Sequence, residues 1–525
     1  MKQAHKTLLS MVVFVVAALG LGLLAVHVGK DEEAKTEAKE KAQKLFEIDK
    51  AKAREVRVTK AGALVAALKR EAQDKPWRVV EPVQVDADDA TTAAIVDKLS
   101  ELKQKAEVEG LDGKGVGLAD EKAAKLVVTV VEEGGKASTL WFGEENPFDH
   151  SLYVRKAGEA LVRQINAGDK APFDKTLFDL RDKSVAHLTP QAEVTELSVT
   201  PPVALKGALV SGTFGYAAKK EGTAWSLTAP EPGAADGSGI ERVIQLVKNL
   251  KGTAVASETA TEAQLKEYGL NVPKWTVQLT VTSGKDSFKR TVLVGQPGPT
   301  AGSITVKTYA KRDDSPVVFA VDNSVVKDLG KDLFELQAKN VFPVLDREAV
   351  RTLVYETPDK PAVRIARKKE SLADGGPGEE TFTLLAPTPG PTKKYKVAGN
   401  LTSILSLRAA AFAGPAAKSD TERAKFGLEP KKARVLTLLG DKDAVLAKLW
   451  VGAEHEAHVY VQAEGGQKVV EVDRGIVNDW TWAADAAAEP PAPAAASTST
   501  PAVPPGPIHL PKPGEKVPLP PVLKK

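Results

Sequence analysis

The sequence has no cysteine and only two methionines, and its 72 Lys plus Arg are nearly matched by 69 Asp plus Glu. The missing cysteine excludes disulfides, a thiol nucleophile, a thiolate-ligated metal and acylation at a lipoprotein cysteine. The charge balance, a formal +3 over 525 residues, excludes a surface dominated by nucleic acid or another polyanion. Aromatic residues are sparse at 5%, yet a hydrophobic share of 42% is that of a folded protein. At about 150 residues per domain the length suggests three or four domains.

One long apolar run is present. Residues 7–28 read TLLSMVVFVVAALGLGLLAVHV, carry no formal charge and have only Thr7, Ser10 and His27 as polar interruptions. As a helix rising about 1.5 Å per residue, the run crosses a hydrocarbon core of roughly 30 Å. No convincing small-x-small site follows it before the charged stretch from Lys30, which favours a membrane anchor over a cleaved signal peptide. Lys2, His5 and Lys6 precede the run, whereas Lys30, Lys35, Lys39, Lys41 and Lys44 follow it, so cations alone do not orient it. Its place beside two N-terminal lysines is that of a signal anchor, and the body is expected on the periplasmic side of a bacterial inner membrane. Residues 29–44 are rich in Ala, Glu and Lys, with Glu37–Lys41 and Glu40–Lys44 at i,i+4 spacing, and predict a polar helical stalk.

The chain repeats itself three times. KPWRVVEP ends at Pro82, AWSLTAP at Pro230 and TFTLLAP at Pro387, spaced 148 and 157 residues apart. A Gly-Leu landmark recurs at Leu118, Leu270 and Leu428, and strand-ending glycines recur at Gly143, Gly295 and Gly452. Three landmarks sharing one period define a tandem repeat. Within each copy an alternating strand comes first (REVRV at 54–58, TELSV at 195–199, VRTLVYE at 350–356). A second strand follows, visible as FGYAAKKEG in the second copy and VRIARKKE in the third, then the strand ending in proline and an amphipathic helix, as in Ile95, Leu99 and Leu102, or Ile240, Val243, Ile244 and Val247. A meander of strands comes next, with Gly-containing turns at 133–135 and 283–284, and a short helix near residues 173–180 or 324–333 closes the copy.

The fold class predicted is therefore α+β: three tandem units, each an antiparallel sheet with a packed helix, after an N-terminal transmembrane helix. The units are placed at 45–180, 181–340 and 341–482. Residues 483–525, rich in Pro and Ala, are expected to form a disordered tail, since twelve of the 34 prolines fall in 486–525.

The anchor, LFEIDKAKAREVRV, the W-x-V-x-x-P of Trp77–Pro82, the Asp-led helix and YGLNVP together resemble the bacterial family called domain of unknown function 4340, over roughly residues 1–480. The third copy departs from the pattern in having Phe382 where the others have Trp, and the first lacks the proline after Leu118. The resemblance implies an envelope protein, and some members accompany auxiliary components of gliding-type ABC transporters. It carries over no catalytic residue.

Candidate chemistry is thin. His455 and His458 in AEHEAHVY are three apart near a strand, a spacing expected to put them on opposite faces and not the i,i+4 helical pair of a zincin. Asp86, Asp88 and Asp89 read as helix capping, because the loop lacks the spaced acids and Gly of a calcium loop. Ser211 and the glycines of GLDGKGVG form neither a nucleophile elbow nor a phosphate loop. Trp77, Trp225, Trp141 and Trp450 recur at equivalent places and are expected to plug cores. RIARKKE at 364–370 reads as the solvated face of an edge strand. No catalytic, cofactor-binding or metal-binding residue is assigned, and no cofactor or nucleic-acid partner is expected. The sequence favours a membrane-anchored noncatalytic periplasmic scaffold or accessory subunit, with an inner-membrane complex such as ABC transporter subunits as partner. The alternative is an envelope polymer-binding protein or enzyme.

Overall fold

The computed structural model describes residues 43–189, 191–202, 214–284, 286–296, 307–342, 345–369 and 378–489. The expected membrane helix at 7–28, stalk residues 29–42 and tail residues 490–525 lie outside this set. Among the described residues no helix is long and apolar enough to cross a membrane.

Alternation of side chains builds the first sheet. In β1 (Ala53–Lys60) Val56 and Val58 turn inward while Arg57 is exposed, as the period-2 pattern requires. β1 pairs with β2 (Ala63–Lys69) on one side and β6 (Leu126–Glu132) on the other. β3 (Arg78–Glu81) and β4 (Val85–Asp86) extend one edge. β7 (Ala137–Glu145), β8 (Ser151–Lys156) and β9 (Val162–Asn166) extend the other, where β5 (Ala106–Val108) forms the last strand. The order is β4-β3-β2-β1-β6-β7-β8-β9-β5, with every pair antiparallel.

Only the helix joins one edge to the other. It starts where the Asp88 carboxylate accepts the Thr91 amide at 2.8 Å, runs over Asp89–Glu101 and buries Ile95, Val96 and Leu99 on the sheet before the chain emerges at β5. Strands and helix share one apolar core that includes Trp77, Phe142 and Phe173.

Residues 193–321 and 352–473 build two further nine-stranded sheets in the same order. Their helices are Gly237–Lys248, capped by Asp236, and Lys394–Leu405, which starts without a side-chain cap. The three landmark prolines end the equivalent strands, and each follows a cis peptide bond. The α+β repeat expectation therefore stands. The fourth meander strand and the far-edge strand of each copy are additions to it.

Pairs of isolated bridges hold the ends of each repeat. The incoming segment pairs with the residues after the helix at Lys44–Lys103, Ser184–Lys251 and Asn340–Arg408. The outgoing segment pairs with the residue before the helix at Ala87–Arg181, Ala235–Gln337 and Thr392–Ala488. The last of these corrects the tail boundary. Ala484–Ala487 forms the closing helix of the third repeat, equivalent to Leu177–Leu180 and Leu333–Leu336, and Ala487 is buried. Composition hid this turn because alanine fills the place that leucine takes in the other copies. The chain divides between Ala338 and Lys339 into two compact units, the first holding two sheets and the second holding one.

Candidate functional site

Within the first compact unit, a cavity of about 390 Å³ opens where the first repeat hands over to the second. Its walls come from the β3–β4 turn, the junction at 181–185, the segment after strand Ala254–Ser257, and the hairpin after strand Thr308–Arg312. Two other recesses, of about 770 and 620 Å³, are shallower and more open, one around Phe46 and Glu132 and one around Tyr268 and Tyr309.

Arg181 is the deepest charge in the cavity, 2% exposed. The capped turn at Thr176–Leu180 and the bridge to Ala87 fix its backbone. Its two terminal nitrogens donate to the two oxygens of Glu258 at 2.5 and 3.0 Å, and the guanidinium lies over Phe319 at 5.5 Å from the ring centre. This bidentate pair joins the last residues of the first repeat to the second. The Nε–H of Arg181 is buried without a partner.

A chain of charges runs beside it. His187 Nδ1 lies 2.5 Å from Asp182, whose carboxylate also accepts the Ser184 amide at 2.8 Å. Arg78, His187 and Arg312 surround the Asp86 carboxylate at 3.7, 3.6 and 3.7 Å, too far for direct hydrogen bonds. Arg312 also pairs with Asp314 at 2.8 Å, and Arg290 reaches the other Asp314 oxygen. Burial acts to raise the Asp182 carboxyl, but the hydrogen bonds from His187 and Ser184 and the charges of His187 and Arg312 outweigh it and hold the group below the usual aspartate range. Burial is likewise outweighed at Asp314, by the hydrogen bond and charge of Arg290 and by Arg312. Both carboxylates stay ionised at neutral pH, which suits them to binding and pairing and not to carrying protons.

The aspartates near the first helix divide their work. Asp88 caps the helix and Asp89 accepts the Trp77 amide at 2.6 Å, whereas Asp86 is a cavity group, contrary to the capping expectation for all three. Strand Val85–Asp86 ends before the cap, so its last side chain is free to face Arg78.

Other expectations are corrected. His455 and His458 share one face: they are the paired residues of a hairpin whose turn contains Glu456 at φ 53°, and their Nδ1 atoms lie 3.4 and 3.7 Å from the two oxygens of Glu471. A hairpin turn returns the chain, so the alternation counted along one strand does not apply. No group of three or more metal-ligating side chains fit to hold an ion is found among the described residues. Strand Val363–Lys369 is internal, paired on both sides, and Arg367 is 4% exposed, donating to Glu380 and Glu348. Trp77 and Trp225 plug cores, but Trp141 and Trp450 are half-buried on the sheet face away from the helix, under Arg155 and Lys448. GLDGKGVG forms connecting turns, with Gly110, Gly113 and Gly117 at positive φ, and Ser211 lies outside the described residues.

Arg181, Glu258 and Arg312 were not singled out from the sequence. A signal existed: LFDLRDKSV at 177–185 aligns with LFELQAKNV at 333–341, placing Arg181 opposite Gln337. Gln337 is also buried, and its amide donates to Glu231 at 3.0 Å, so the position keeps a polar donor in both copies.

No curated protein matches the chain. Residues 77–223 and 225–422 each match one family, and the two matches begin at Trp77 and Trp225, the equivalent tryptophans of the first two repeats. Together they cover most of the chain, which belongs to the family described as Domain of unknown function (DUF4340).

Proposed function

We propose that this chain is a noncatalytic accessory of an inner-membrane protein complex, anchored by residues 7–28 with its body in the periplasm. Subunits of a gliding-type ABC transporter are the partners the family resemblance implies. The observation that carries the reading is the sheet face opposite each repeat's helix, which the repeat's own Gly-Leu loop covers only in part. Thr129, Thr139, Trp141 and Arg155 lie on that face in the first repeat, Gln278, Thr280 and Lys289 in the second, and Lys448, Trp450 and Gln462 in the third. Nine strands at about 4.8 Å span roughly 40 Å, so the part of this face beyond the loop offers room for a partner. Half-buried tryptophan among threonine, glutamine and arginine or lysine has the character of a protein-binding surface.

Asp182 and Asp314 in the cavity are paired and held ionised, which supports the noncatalytic part of the reading. Affinity purification from native membranes with mass spectrometry is expected to recover integral-membrane subunits. The absence of any reproducible membrane partner, together with turnover of an envelope substrate abolished by one polar substitution, overturns the proposal.

A further inference from the structure

We propose that the cavity between the first and second repeats binds a neutral polyhydroxylated ligand, one or two sugar units in size. Its volume of about 390 Å³ lies within the range of small-ligand sites, roughly 300–1,000 Å³, and equals the space of about a dozen waters. The lining sets the chemistry. Arg78, Arg181 and Arg312 supply guanidinium donors, while Asp86, Asp182, Asp314 and Glu258 supply carboxylate acceptors. An anionic ligand meets four carboxylates, and a cationic one meets three guanidiniums. A hydroxyl both donates and accepts, so a neutral polyol satisfies both sets without adding charge.

The site also has unused hydrogen-bonding capacity. The cations around Asp86 stand at 3.6–3.7 Å, so they attract its carboxylate without occupying its lone pairs. Val85 and Val317 in the same wall add a small apolar surface to the site. A ligand held by Asp86 from the first repeat and Arg312 from the second also ties the two repeats together across their covalent junction.

The test is saturation-transfer NMR on the full-length chain in nanodiscs, with trehalose, maltose and chitobiose as probes and phosphate and lysine as charged competitors. At least one disaccharide is expected to bind. Asp86→Asn and Arg312→Gln should each weaken it by about tenfold, the scale of one charge-assisted hydrogen bond. Arg78→Gln, at the exposed rim and so without consequence for folding, should weaken it several-fold with an unchanged melting curve. Lys136→Gln, in a separate recess, should leave it unaltered. The proposal is overturned by silence from all three sugars, by binding that survives both Asp86→Asn and Arg78→Gln, or by displacement with phosphate or lysine at lower concentration than the sugar itself.

Discussion

The carbonyl oxygen of Val116 lies over the Cα of Gly143 so closely that a Cβ on Gly143 collides with it. The same relationship joins Tyr268 to Gly295 and Phe426 to Gly452. Each overlying residue precedes a glycine at positive φ, Gly117, Gly269 or Gly427, and then a buried leucine, Leu118, Leu270 or Leu428. Two of the three repeat landmarks are thus halves of one contact, a loop seated on a bare strand position.

Gly143→Ala is therefore expected to destabilise the protein by about 2–3 kcal/mol, since the obstruction is backbone and not a movable side chain. Gly115→Ala, with open space around it, should stay within about 0.5 kcal/mol. Urea unfolding of the two variants checks the contrast, and equal stability would remove the steric account of the landmark.

Trp225→Ala should cost roughly 3–5 kcal/mol, because the ring is 5% exposed in the core and its Nε1–H donates to Glu241 at 2.9 Å. Trp141→Ala, on the opposite sheet face where the ring is half-buried under Arg155, should cost less, on the order of 1–2 kcal/mol. Thermal melts of the pair distinguish a core plug from a surface aromatic.

Glu258→Ala leaves the Arg181 guanidinium buried without its anion and is expected to cost about 2–4 kcal/mol. Arg181→Gln, which imitates the equivalent Gln337, should cost less than Arg181→Ala. Chemical denaturation of these three variants tests the order. A harmless Glu258→Ala would show that the pair does not hold the junction.

Asp182 gives stability a sign with pH. Its folded pKa is depressed below 3.8, so its pairing stabilises the protein above the unfolded value and the contribution is lost as pH falls through 3.8 and below. The stability deficit of Asp182→Asn relative to the parent should shrink on acidification below about pH 4. A deficit that does not change over that range would mean the aspartate acts through shape alone.

Periodicity made the repeats legible. Val56, Val58, Ile95 and Leu99 report their own faces through spacing, and the landmark prolines and glycines mark fixed points in the sheet. The far-edge strands, such as Ala106–Val108, escaped notice because three residues carry no readable alternation. The charged cavity was hidden for a different reason. Arg181, Asp86 and Arg312 are far apart in sequence and meet only when one repeat abuts the next, and a buried arginine looks like a solvated one until its partner is known. RIARKKE shows the same ambiguity, because Arg367 is buried by Glu380 and Glu348, residues that lie outside the run.

Topology has its own check. On the proposed topology, added protease digests residues 45–482 in spheroplasts while a cytosolic marker survives. Protection equal to that marker contradicts a periplasmic body.

The central proposal is that the sheet faces opposite the helices hold a membrane complex. The most direct measurement is site-specific photocrosslinking in native membranes from positions 141, 289 and 450, with exposed positions 97 and 242 on the helices as controls. The account predicts crosslinks to integral-membrane subunits from the sheet-face positions and few from the helix positions. Crosslinks confined to the helix side, or none to any membrane protein from either side, would contradict it.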